Sequence, residues 1–113
     1  MSLNEPLYAT DIESRLDLLS QQLEEETERF AVLVVEKAEA EAEYKRAYHK
    51  AVLTSTEGTV AMKEARAFSK SAQEYREYKI TEALEKATQQ KLMMLRSQID
   101  SARTISANIR NQT

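Results

Sequence analysis

A chain of 113 residues that is 31% charged, with one glycine, one proline, no cysteine and no tryptophan, has the composition of long helices rather than of a thick globular core. The absence of cysteine excludes a disulfide framework, a thiol nucleophile and a thiolate metal site. A net charge of −3 weighs against nucleic acid as the principal ligand.

No run approaches the ~20 apolar residues that span a bilayer. The opening MSLNEPLYATD has neither the basic nor the apolar region of a signal peptide. No membrane partner is expected, and the expected compartment is the cytoplasm.

Residues 1–9 read as an extended arm around Pro6, with Leu3, Leu7 and Tyr8 able to fold back onto apolar surface. Thr10 and Glu13 form a capping-box pattern, so the first helix is expected over about 11–53. Ile12, Leu16, Leu19, Leu23 and Phe30 follow alternating four- and three-residue steps, with Glu26 or Thr27 interrupting. This is a heptad-like seam. Past Phe30 the stripe drifts through Val34, Ala38, Tyr44, Tyr48 and Ala51, as expected where 3.6 residues per turn meets a seven-residue repeat.

Residues 54–59 supply the turn. Gly58 is suited to a left-handed backbone, and Thr59 to capping the next helix, with Glu57 completing the tip. A second helix is then expected without interruption over about 60–110, its stripe running from Ala61, Phe68 and Tyr75 to Leu92, Leu95, Ile99, Ala102 and Ile109. The predicted fold is all-α, a long antiparallel two-helix hairpin resembling a coiled coil, forming one domain over 10–113.

Charge divides at the turn. Residues 1–59 hold 6 Lys/Arg against 13 Asp/Glu, and residues 60–113 hold 10 against 6. Folding at Gly58 would bring Lys70 to Glu43, Arg76 to Glu39, Lys79 to Glu36, Lys86 to Glu28, Lys91 to Glu24, Arg96 to Asp17, Arg103 to Asp11 and Arg110 to Glu5. Such exposed pairs stabilise by only ~0–1 kcal/mol each but select orientation and register.

Val32-Leu33-Val34-Val35 and Leu92-Met93-Met94-Leu95 each place apolar residues all round a helix, more than one neighbour covers. The expected consequence is a homo-oligomer, a dimer forming a four-helix bundle being simplest, with Val32, Leu33, Val35, Leu92, Met93 and Met94 at the interface.

The remaining constellations point to no chemistry. Glu24, Glu25, Glu26 and Glu28 radiate around a helix and read as a solvated face, since no carboxylate and histidine set repeats as di-iron bundles require. His49 has no orienting acid or nucleophile beside it, as catalysis would need. Tyr44, Tyr48, Tyr75 and Tyr78 read as packing aromatics, with a partner-binding patch as the alternative. Lys91, Arg96, Arg103 and Arg110 form a basic stripe able to follow phosphates, although pairing with the acidic helix accounts for it better. No catalytic residue, metal site or cofactor is expected.

Secreted hairpins with a Trp-x-Gly turn and prefoldin-type chaperones fail on the missing tryptophan and missing β-hairpins. The chain instead resembles small uncharacterised helical hairpin proteins of tailed bacteriophages. The resemblance rests on Ala51-Val52-Leu53, Glu57-Gly58-Thr59, Lys63-Glu64-Ala65-Arg66, Leu95-Arg96, Gln98-Ile99, Arg103-Thr104 and Ala107-Asn108-Ile109-Arg110, and covers roughly residues 36–113. It implies a phage protein acting in the host cytoplasm, encoded among early functions such as replication and recombination, and it carries no catalytic residues over. The expected function is a non-enzymatic, self-associating helical protein that binds another protein. The alternatives are an accessory nucleic-acid-binding protein using the basic stripe, and a phage inhibitor of a host or defence protein presenting acids such as Glu24 to Glu28.

Overall fold

Gly58 adopts φ +99°, a backbone region that L side chains rarely enter. In a computed structural model, which describes residues 4–111 with side chains from Thr10 to Asn111, this glycine lies in the turn between the helices. The protein is an all-α hairpin, and the described residues are 94% helical with no strand among them. Helix α1 runs Asn4–Thr54, α2 Val60–Lys70 and α3 Ala72–Asn111. The Thr59 side chain accepts the Met62 N–H at 3.2 Å, satisfying one of the orphan donors at the start of α2. The Arg66 guanidinium crosses the turn and donates to the Glu57 carbonyl.

Two boundaries differ from expectation. Helix replaces the extended arm from Asn4 onward, because Pro6 falls in the first turn, where the N–H groups have no intrahelical acceptor to lose. Thr10 therefore lies inside α1 and is not its cap. Leu3 and the side chains of Leu7 and Tyr8 are outside the described residues.

The second helix is also interrupted. Ser71 takes φ −101°, ψ 12° between α2 and α3, while its hydroxyl donates to the Ala67 carbonyl at 2.7 Å. A serine bonded back to the preceding turn competes with regular helix geometry and bends it. The backbone ladder nevertheless persists across the bend through Ser71 N–H to Ala67 O and Tyr75 N–H to Ser71 O, each at 3.0 Å.

Within the hairpin expected as one domain, contacts gather into two compact units: residues 1–30 with 88–113, and residues 31–87. The first unit is held by an aliphatic seam. Leu19, Leu95 and Ile99 form its buried cluster, flanked by half-buried Leu16 and Leu23, with Ile12, Leu92 and Ala102 also buried. Glu26 occupies a seam position and is only 6% exposed. It accepts from Lys91 Nζ at 2.9 Å and lies 3.6 Å from Arg29.

The second unit buries Leu33, Ala51, Ala67 and Ser71, and three of these four side chains are small, which lets backbones approach closely. Its middle is aromatic. Tyr44 on α1 meets Tyr75 on α3 edge-on at 5.1 Å and stacks with Tyr78 at 6.2 Å. Phe68 of α2 joins Tyr75 at 5.2 Å. Lys37 pairs with Glu85 across the unit at 3.7 Å.

Candidate interaction surface

The expected charge ladder is largely absent. Lys91 meets Glu26 rather than Glu24, and Lys37–Glu85 places the base on the acidic helix. Elsewhere charges pair within their own helix: Lys79 and Lys86 with Glu82, Arg103 with Asp100, Arg46 with Glu43 and Lys45 with Glu41. Among the described residues, Lys70, Arg76 and Arg96 reach none of the acids assigned to them. The predicted partner of Arg110, Glu5, has its side chain outside the described residues. The reason is geometric: i,i+3 and i,i+4 neighbours are already within reach on one helix, whereas a cross-helix partner must also lie beside the seam.

The basic stripe is accordingly interleaved with acids. Lys91 is committed to buried Glu26, and Arg103 lies 4.0 Å from Asp100. Arg96 and Arg103 line a shallow groove of about 370 Å³ together with Glu24 and Asp100, so anionic and cationic groups alternate along it. Glu26 itself is not part of a solvated acidic face, because its carboxylate is buried against Lys91. The described residues contain no cluster of three or more metal-ligating side chains, and no helix among them is long and apolar enough to cross a membrane.

The tyrosines pack on one another and are half-buried. Burial, then the charges of Glu41 and Glu82, push the Tyr78 phenol above its ordinary 10.0, and its hydroxyl donates to Glu82 at 3.2 Å. The Lys79–Glu82 hydrogen bond holds Glu82 below 4.5 and Lys79 above 10.5. Lys79 Nζ also lies 5.5 Å from the Tyr78 ring, within cation–π range. His49 is exposed and makes an edge-on contact with Tyr48. These are the interactions of a seam, and none of them converges on a reacting centre.

The six residues expected at an oligomer interface separate into two groups. Leu33 and Leu92 are 7% and 4% exposed and so are already covered within the chain. Leu92 lies on the expected stripe. Leu33 takes the inward place expected of Val34, which is exposed, because the four-and-three spacing continues past Phe30 without drifting. Val32, Val35, Met93 and Met94 are 55%, 56%, 61% and 52% exposed and remain available.

A larger groove, of about 700 Å³, opens in the first unit between Asp11, Arg15 and Leu18 of α1 and Gln98, Ser101 and Ile105 of α3. Buried Ile12 and Ala102 contribute to its lining. Leu18 and Ile105 stand 56% and 40% exposed on it. Sequence reading missed this surface, although its signal is present. Asp11, Arg15, Leu18 and Gln22 step by four, three and four, as do Met94, Gln98, Ser101 and Ile105. Each set is a second heptad stripe beside the buried one. Its mixture of polar and apolar residues concealed it.

Compared with protein-family models, curated proteins and solved structures, the chain shows no significant match to any of them.

Proposed function

We propose that this protein is a non-enzymatic, self-associating helical hairpin that serves as a protein-binding accessory factor, encoded by a bacteriophage and acting in the host cytoplasm. The observation that carries the reading is uncovered apolar surface: Val32, Val35, Met93 and Met94 are each more than half exposed. Apolar residues repeated along helix faces in this way mark contact surfaces for other chains. A charged, helix-forming composition, with no convergent set of reactive side chains among the described residues, supports a binding role over a catalytic one. The phage assignment draws on the resemblance of the tip and of the second helix described above.

Light scattering across a concentration series tests the reading. Self-association predicts a mass above that of the 12.9 kDa chain at micromolar concentration. A strictly monomeric mass throughout the series rejects it.

A further inference from the structure

We propose that the groove of the first unit is the self-association surface, closed by the same groove of a second copy. This deepens the self-association reading and rests on it. Three observations select both the surface and its occupant.

The first is the asymmetry of the unit. On one side of its seam, Glu24, Arg96, Asp100 and Arg103 line a groove rich in charge. The other groove is bounded by Leu18 and Ile105, with a single acid and a single base. At 100° per residue, Met94 continues the same stripe on α3 as Gln98, Ser101 and Ile105. Three of the four exposed large apolar side chains described in the unit, Leu18, Met94 and Ile105, thus lie on one flank, and Met93 falls outside it.

The second is spacing. Both helices carry a heptad stripe on this flank, next to the stripe that closes their own seam. A helix with two adjacent heptad stripes contacts two neighbours, which is the arrangement of a four-helix bundle. The hairpin supplies one neighbour, and a second hairpin supplies the other.

The third is charge. Asp11 and Arg15 form no ion pair among the described residues, although both line the groove. A polyanion would call for an excess of cations here, and a basic segment for an excess of acids. One of each sign, one helical turn apart, complements its own copy. In a two-fold interface the same patch meets itself, so antiparallel α1 helices place Asp11 of each copy toward Arg15 of the other.

The experiment measures the mass of the full chain by light scattering against concentration, with helicity followed by circular dichroism. Leu18→Glu and Ile105→Glu, at exposed positions, should keep their helicity and become monomeric. Leu84→Glu, at an exposed position of the second unit, should associate like the wild type. Asp11→Arg or Arg15→Asp alone should weaken association on the order of tenfold, by setting like charges together in both halves of the interface. The double variant Asp11→Arg/Arg15→Asp should restore it. Because both residues of this pair are exposed, the charge swap remains decisive even if a glutamate variant loses helicity. A monomeric wild type overturns the self-association reading and this assignment together. An associating wild type that is insensitive to the charge swaps, or is broken by Leu84→Glu instead, overturns the assignment and leaves the reading standing.

Discussion

The two units of the hairpin close similar seams with different chemistry. In the first, Leu19, Leu95 and Ile99 provide an aliphatic cluster with one buried carboxylate neutralised by a lysine. In the second, half-buried tyrosines, a Lys37–Glu85 pair and small residues occupy the equivalent positions. An aliphatic seam gains from transfer out of water wherever it is dry. A tyrosine seam also needs partners for its hydroxyls, and it gains from the edge-on and stacked geometry of its rings. The second unit therefore depends more on solution conditions, and the first more on intact volume.

The largest expected effect follows from volume. Leu95 is 3% exposed, so Leu95→Ala should cost about 2–5 kcal/mol in urea unfolding, from lost burial and the residual cavity. Tyr44→Leu, half-buried in the second unit, should cost clearly less. Equal losses would erase the contrast between the seams.

Next is Lys91→Met, which leaves Glu26 buried with only the more distant Arg29. A loss of about 1–3 kcal/mol is expected, recovered in Lys91→Met/Glu26→Leu because an apolar seam tolerates both replacements. If the double variant stays as unstable as the single one, the Glu26 carboxylate has a further role in the seam.

At the turn, Gly58→Ala should destabilise by about 1 kcal/mol. The backbone there has φ +99°, and an added Cβ would lie 2.6 Å from Arg66 Nη2. Arg66 ends a flexible side chain and can move, so the backbone angle dominates. In the second unit, Glu74 Oε2 is buried without a hydrogen-bond partner, and Glu74→Met should stabilise the fold by up to about 1 kcal/mol.

The smallest effects are those of pH, and they belong to the second unit. The lowered carboxyl of Glu82 contributes stability that is present above 4.5 and lost as pH falls through its folded value. The raised Lys79 contributes stability that is present below 10.5 and lost as pH rises through its folded value. Raised Tyr78 acts in the same sense, its contribution present below 10.0 and lost above. Stability should thus decline at both extremes, and Lys79→Met/Glu82→Gln/Tyr78→Phe should flatten the dependence of the urea midpoint on pH. An unchanged profile would show that these groups gain nothing on folding.

Much of this architecture was legible in the residues. Gly58 with Thr59 marked the turn because few other residues serve a positive φ followed by a cap. The four-and-three spacing of Ile12, Leu16, Leu19 and Leu23 marked the inner face of α1, since helix periodicity fixes which residues share a side. Pro6 misled because proline breaks a helix interior but not its first turn. Ser71 left no trace in the pattern: its bend depends on a hydroxyl reaching the Ala67 carbonyl where both residues are wholly buried. The charges misplaced the register because long side chains find partners on their own helix, whereas packing residues must match across the seam. The groove escaped for a related reason, in that only the fold brings Leu18 and Ile105 to one opening.

Hydrogen exchange of the full chain at low and high protein concentration tests the central claim most directly. Amides over residues 11–22 and 94–105 should become more protected as concentration rises, while those over residues 38–48 in the second unit should not change. Protection independent of concentration everywhere, or a rise confined to the second unit, would contradict the account.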